Sequence, residues 1–235
     1  MKWTHNRLDI VRPGLFGMTV AADSRRMEFD AKNEILMYHQ TPVDYVFIGD
    51  SITHMWELQA YFKHSGWFIA NRGIGGDTTE YVLKRFEADV LQLKPKVVVI
   101  MIGINNTWGL DEWNEIVRKH PDDLYKEITW DIDQMLIHAI DANITPVLCS
   151  ILPTCTTMST TTAVRNETIV RINSELRQIA NNRNAIFVDY HSKMTLPDGL
   201  AMREELVFDG IHPNVRGYNV MAQVLQETLN DLYDL

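Results

Sequence analysis

The sequence predicts a three-layer α/β/α fold with a five-stranded parallel sheet between helices. Three observations predict it. Strand-like and helix-like segments alternate five times, with no internal repeat and no linker, and such alternation implies right-handed crossovers and a parallel sheet. Segment 96–102 carries Val97, Val98, Val99 and Ile100 in an unbroken apolar run, the pattern of a strand covered on both faces. Polar signatures directly follow the first, second, third and fifth strands, at the edge where open α/β sheets bind ligands.

The elements follow in order. Residues 1–24 are mixed and read as an N-terminal arm lying over a single domain of 235 residues. Met27, Ala31, Glu34, Ile35 and Tyr38 recur at helical spacing, so 25–40 reads as a helix ended by Thr41-Pro42. Residues 43–49 form the first strand, and a helix is expected from 52 to about 62. A short second strand, 67–70, precedes Asn71-Arg72-Gly73-Ile74-Gly75-Gly76-Asp77. Asp77 followed by Glu80 resembles a capping box at the start of a helix over 78–93, which Lys94-Pro95 stops. After the third strand comes an irregular stretch, 107–121, then a helix over 122–142 and a strand over 145–151. A Thr-rich loop, 154–163, leads to a helix over 164–181, a last strand over 185–188, a loop over 189–213 and a final helix over 215–232.

Composition narrows the function. The net charge of −9 argues against nucleic acid or an anionic membrane surface as partner, because both need a basic face. Cys149 and Cys155 lack zinc-site spacing and are too few for a disulfide framework, which fits a reducing, cytoplasmic setting; Cys149 reads as a core residue. The first seven residues carry no apolar leader, and no apolar stretch approaches a membrane span, so neither a secretion signal nor a span is expected.

Ser51, in Gly49-Asp50-Ser51, sits where a strand turns into a helix. Serine there is commonly a helix N-cap, but backbone N–H groups also gather at such a point and favour developing negative charge. The sequence has no Gly-x-Ser-x-Gly elbow. Asp209-Gly210-Ile211-His212-Pro213 offers an imidazole and a carboxylate that could reach one site, although taken singly a polar turn capping the last helix is the better explanation. Gly76, paired with Gly75, lets backbone N–H approach a ligand, or forms a tight turn or phosphate nest. Asn105 offers a side-chain amide, or is a turn residue after its strand.

Taken together, these four signals match a family pattern. Gly49-Asp50-Ser51-Ile52-Thr53, Asn71-x-Gly-Ile-Gly-Gly76-Asp77-Thr78-Thr79, Gly103-Ile104-Asn105 and Asp209-Gly-Ile-His212-Pro213-Asn214 resemble, in order, the motifs of the SGNH hydrolases, also called GDSL-type esterases, lipases and acylhydrolases. The 71–79 stretch looks most like the branch holding the platelet-activating-factor acetylhydrolase catalytic subunits.

The resemblance implies a flavodoxin-like SGNH-hydrolase fold and a serine esterase acting on short-chain esters, acetyl esters among them, with no cofactor and no metal. Ser51 would be the nucleophile, His212 the acid–base and Asp209 its orienter. The Ser51 and Gly76 backbone N–H groups and the Asn105 side chain would form the oxyanion hole. Where the family often has Gly-x-Asn-Asp, Asn106 replaces the Asp.

Asp50, His54 and Trp108 are further substrate-binding candidates; Asp189 and His191 are weaker rivals for an acid–base pair; Trp56 reads as core and Trp113 as an open loop residue. The expected partner is a small ester, an acylated sugar or a short acyl ester, with edge strands and the arm leaving room for a homo-oligomer. A carbohydrate O-acetylesterase, an acyltransferase using the same site, and a non-catalytic phosphate- or nucleotide-binding module are the alternatives.

Overall fold

The computed structural model describes residues 9–63 and 66–229. Five strands form one parallel sheet: β1 (Tyr45–Gly49), β2 (Ile69–Gly73), β3 (Val97–Met101), β4 (Thr145–Cys149) and β5 (Ile186–Val188), in the order β2-β1-β3-β4-β5. Every residue of β1 and β3 is buried, as their unbroken apolar runs require of strands covered on both faces. The order reverses direction between β1 and β3, so a crevice opens beyond their C-terminal ends.

The helices α1 (Arg26–Tyr38), α4 (Thr79–Asp89), α5 (Pro121–Asp141) and α6 (Thr162–Arg183) pack successively against one another on one face of the sheet. Across the sheet, α2 (Ser51–His54) and α3 (Leu58–Tyr61) meet α8 (Val215–Leu229), with α7 (His191–Met194) beside it. Buried Trp56 stacks on Tyr218 at 5.4 Å between ring centroids, and the Tyr218 hydroxyl donates to the Ile52 carbonyl at 2.7 Å. These two contacts pin the segment that carries Ser51 onto α8.

Several local expectations change. The single helix expected over 52–62 is two short turns. Asn71 donates its side-chain amide to the carbonyls of Thr53 (2.8 Å) and Trp56 (3.3 Å), so a tertiary partner takes acceptors that a continuing helix would use. The second strand runs on through Asn71-Arg72-Gly73. Gly73 is needed at its end, because a Cβ there would lie 2.2 Å from the His54 backbone nitrogen. Finally, Asp77 does not cap α4: Thr78 is the N-cap residue, and the Asp77 carboxylate turns inward to Arg85.

The arm bonds to the domain through Val11 and Gln92, and through Arg12 to Glu34; residues 1–8 of the expected arm, and 230–232 of the expected last helix, lie outside the described residues. The stretch after β3 opens as a 3₁₀ helix, Asn105–Asp111, rather than as irregular chain. Cys149 is buried in the core, and Cys155 is half-buried.

Candidate active site

The crevice beyond β1 and β3 collects the sequence candidates. His212 Nε2 lies 2.8 Å from Ser51 Oγ, and His212 Nδ1 lies 2.6 Å from Asp209 Oδ2. The other Asp209 oxygen accepts the backbone N–H of His212 (2.8 Å) and of Ile211 (3.0 Å). Partial burial raises the Asp209 pKa, but these N–H bonds and the bond to the His212 ring outweigh it and hold the carboxyl below its ordinary value. An ionised Asp209 therefore faces Nδ1 and selects the tautomer with its proton there, leaving Nε2 as an acceptor for the serine hydroxyl.

Asp50 is positioned differently from the substrate-binding place expected of it. It is 1% exposed, and its Oδ1 accepts the Ile52 N–H at 2.9 Å, capping the turn that presents Ser51. Burial pushes its carboxyl up to about 7.

An acid with a raised folded pKa is protonated when folded but ionised when unfolded between its two pKa values, so stability falls as pH rises through that window. Asp50→Asn keeps the capping oxygen and cannot ionise. Denaturant titrations at pH 5 and pH 8 should therefore show the wild type losing stability relative to Asp50→Asn by roughly 2–4 kcal/mol across that interval. Parallel curves for the two proteins would refute this reading of Asp50.

The glycine-rich turn closes by an Asp77 N–H to Ile74 carbonyl bond at 3.2 Å, with Gly76 at φ +80°, a conformation that disfavours any side chain. Gly75 is the member of the pair that faces the serine: a Cβ on it would lie 3.8 Å from Ser51 Cβ and 3.9 Å from His54 Nδ1. Asn105, half-buried, donates its side-chain amide to the Asp77 carbonyl at 2.9 Å, which ties it to the same turn.

Asn106 supports it from behind. Its oxygen accepts the Thr79 N–H (3.1 Å), and its amide donates to Thr79 Oγ1 (2.9 Å) and Glu127 (2.6 Å). An aspartate could accept from Thr79 but could not donate to Glu127, so the departure from Gly-x-Asn-Asp is matched by a carboxylate partner on α5.

Two features escaped the sequence reading. Arg85 is fully buried, and it donates to Asp77 (2.8 Å), Asp89 (2.9 Å) and the Gly49 carbonyl (3.2 Å). It thereby joins the serine turn to the turn that holds Asn105. Its signal was an arginine placed in phase with the buried Val82, Phe86 and Asp89 of α4. Phe208, 58% exposed, lies parallel to the His212 ring at 5.8 Å and forms a rim of the site.

Of the remaining candidates, His54 is exposed beside Gly75 and takes no part in the Ser51–His212–Asp209 chain. Trp108 is half-buried with Arg165 over its ring at 4.1 Å. Arg165 also donates to Thr107 Oγ1 (3.1 Å) and pairs with Asp111, which accepts from Ser159 and Thr161 at 2.6 Å each. The two loops flanking the site are thus bonded to each other. Asp189 instead pairs with Arg177, and His191 is buried with its backbone N–H on Ser150 Oγ, so neither joins the hydrogen-bonded chain of Ser51, His212 and Asp209. Among the described residues no cluster of metal-ligating side chains occurs, and no helix is long and apolar enough to cross a membrane.

Comparison with known proteins identifies the family. Residues 47–220 match the GDSL-like lipase/acylhydrolase family model. An acetylxylan esterase of Geobacillus stearothermophilus is 27% identical over 172 residues, 71% of this chain and 74% of that protein. The human platelet-activating factor acetylhydrolase IB subunit alpha2 is 39% identical over 66 residues, 27% of this chain and 29% of that one. In overall fold, a GDSL-like lipase of Bacteroides thetaiotaomicron superposes with a TM-score of 0.69 at 24% identity, over 86% of this chain and 98% of the other. With most of its length matched and a serine, histidine and aspartate in hydrogen-bonded register at the sheet's edge, this chain belongs to the GDSL-like lipase/acylhydrolase (SGNH) family.

Proposed function

We propose that this protein is a serine esterase that cleaves short-chain, acetyl-sized carboxylic esters through an acyl-enzyme, with water as the acceptor. The observation that carries this reading is the chain Ser51 Oγ···Nε2 His212 Nδ1···Asp209, at 2.8 and 2.6 Å. In it His212 takes the Ser51 proton as Oγ attacks the ester carbonyl, then returns it to the departing alcohol. Asp209 holds the ring and stabilises the imidazolium. The oxyanion is met by the backbone N–H groups of Ser51 and Gly76 and the amide of Asn105; each such donor is typically worth about 3 kcal/mol in the transition state. Water then enters on the same imidazole and releases the acid. Exposed Asp209 and Phe208 flank an open site that water reaches readily.

The acetyl preference is supported by two relatives whose names both specify acetyl esters, an acetylxylan esterase and an acetylhydrolase. Each added methylene that does not fit should cost roughly 1–3 kcal/mol. A p-nitrophenyl ester series from acetyl to octanoyl, together with acetylated sugars, tests it. The kcat/KM should be highest for acetyl and fall with length; a maximum at hexanoyl or longer would overturn the acetyl assignment.

A further inference from the structure

A cavity of about 460 Å³ opens beside His54, between α1, the α2–α3 segment and β2. That is the size of a small-molecule site. It adjoins the reaction centre, since Ser51 and His54 flank the same glycine, Gly75. Its wall is apolar along Ile35, Leu36 and Ile69, and cationic along Arg25, Lys32 and Arg72. Two carboxylates answer these cations in part. Glu28 is shared by Arg25 (2.6 Å) and Lys32 (2.5 Å), and Glu57 stands among the lining residues.

Arg72 is the unusual member. It is 3% exposed, yet among the described residues no carboxylate lies within 4 Å of it. Its guanidinium donates to Asn33 Oδ1 (3.1 and 2.8 Å) and to the Asn71 carbonyl (3.0 Å), three bonds from five N–H groups. The nearby Asp89 is bound by Arg26 and Arg85 and acts on Arg72 only from a distance. Burial pushes its pKa down to about 10, the mark of a cation held against a desolvation cost. Arg72 thus lines the cavity as a buried cation that faces the Phe29 ring at 5.1 Å but meets no carboxylate of the described residues within 4 Å, an arrangement that an incoming anion would stabilise.

We propose that this cavity is a subsite for an anionic group, a carboxylate or a phosphate, carried on an apolar body by the ester substrate. Arg72 receives the charge at the floor, Lys32 and Arg25 draw it in at the mouth, and Ile35, Leu36 and Ile69 contact the apolar part. This inference rests on the esterase reading above, and it narrows the substrate class to anionic esters.

The test pairs matched acetate esters: 4-acetoxybenzoate and 4-acetoxyphenyl phosphate against the neutral methyl 4-acetoxybenzoate. In the wild type, kcat/KM for at least one anionic ester should exceed the neutral one by about tenfold, as a charge-assisted contact would give. That ratio should fall towards one in Arg72→Gln and in Lys32→Glu. Because the ratio is taken within each protein, a general loss of activity cancels. Lys32 is half exposed, so its variant keeps the test available if Arg72→Gln does not fold.

Titration of benzoate and phenyl phosphate into Ser51→Ala, with benzamide as the neutral control, reads the cavity without turnover. Anion binding to Ser51→Ala together with no ester hydrolysis by the wild type would sink the esterase reading and leave the anion site standing. Preference for one anion identifies it as the group recognised. Equal ratios for anionic and neutral esters in the wild type, or a preference that both variants retain, overturns the proposal.

Discussion

Replacing Ser51 with alanine is expected to lower kcat on p-nitrophenyl acetate by roughly 10⁵–10⁶-fold, the loss seen when a nucleophile that acts as part of a unit is removed. The fold should survive. Ser51 Oγ bonds only to His212 among the described residues, and the turn it occupies is held by the Asp50 cap, the Tyr218 hydroxyl and the Arg85–Gly49 bond. Circular dichroism and a melting temperature within a few degrees of wild type would verify that. The expected companion result is stoichiometric labelling of the wild type by a fluorophosphonate, and none of the variant. Turnover retained at wild-type level by Ser51→Ala would place the chemistry elsewhere.

The second large effect concerns stability. Arg85→Leu removes a guanidinium that is 0% exposed and leaves the carboxylates of Asp77 and Asp89 buried without it. Breaking a buried pair from one side typically costs about 3–5 kcal/mol, a large part of the roughly 5–15 kcal/mol that holds a domain together. Chemical denaturation should show a loss of that size. Arg85→Lys should fall between, because an ammonium cannot reach Asp77, Asp89 and the Gly49 carbonyl together in the planar fork that Arg85 uses. Activity should fall beyond what the unfolded fraction explains, since Asp77 also carries the carbonyl that holds Asn105. A variant within about 1 kcal/mol of wild type would mean that the buried carboxylates are protonated and do not need Arg85.

Much of this site was legible before any coordinates. The serine and the Asn stand just after β1 and β3, whose adjacent C-terminal ends share one edge of the sheet, while the Asp-x-x-His lies in the loop between β5 and α8. The structure brings Ser51, His212 and Asp209 into one hydrogen-bonded chain, although Ser51 and His212 lie 161 positions apart. A phosphate-binding module gives no reason for that contact. What misled were residues whose local and tertiary preferences conflict. Asp77 has the spacing of a cap, yet Arg85 competes for its carboxylate in a buried setting, where an ion pair outweighs a backbone bond. The 52–62 segment has helical composition, yet the Asn71 side chain claims its carbonyls. Asp50 looked available beside the serine, but its side chain turns back to cap the turn.

The sequence by itself determined the sheet, its parallel sense, and the identities of the residues at its C-terminal edge. Those follow from periodicity and turn chemistry, which act over a few residues. Tertiary structure alone decided which polar groups face each other. Gly75 rather than Gly76 borders the serine side chain, Arg85 links the two turns, and Arg72 lines a cavity next to His54 with no carboxylate of the described residues within 4 Å. The physical reason is that burial sets the worth of a charge, and burial depends on how α1, α4 and β2 pack together, which no local pattern of residues records.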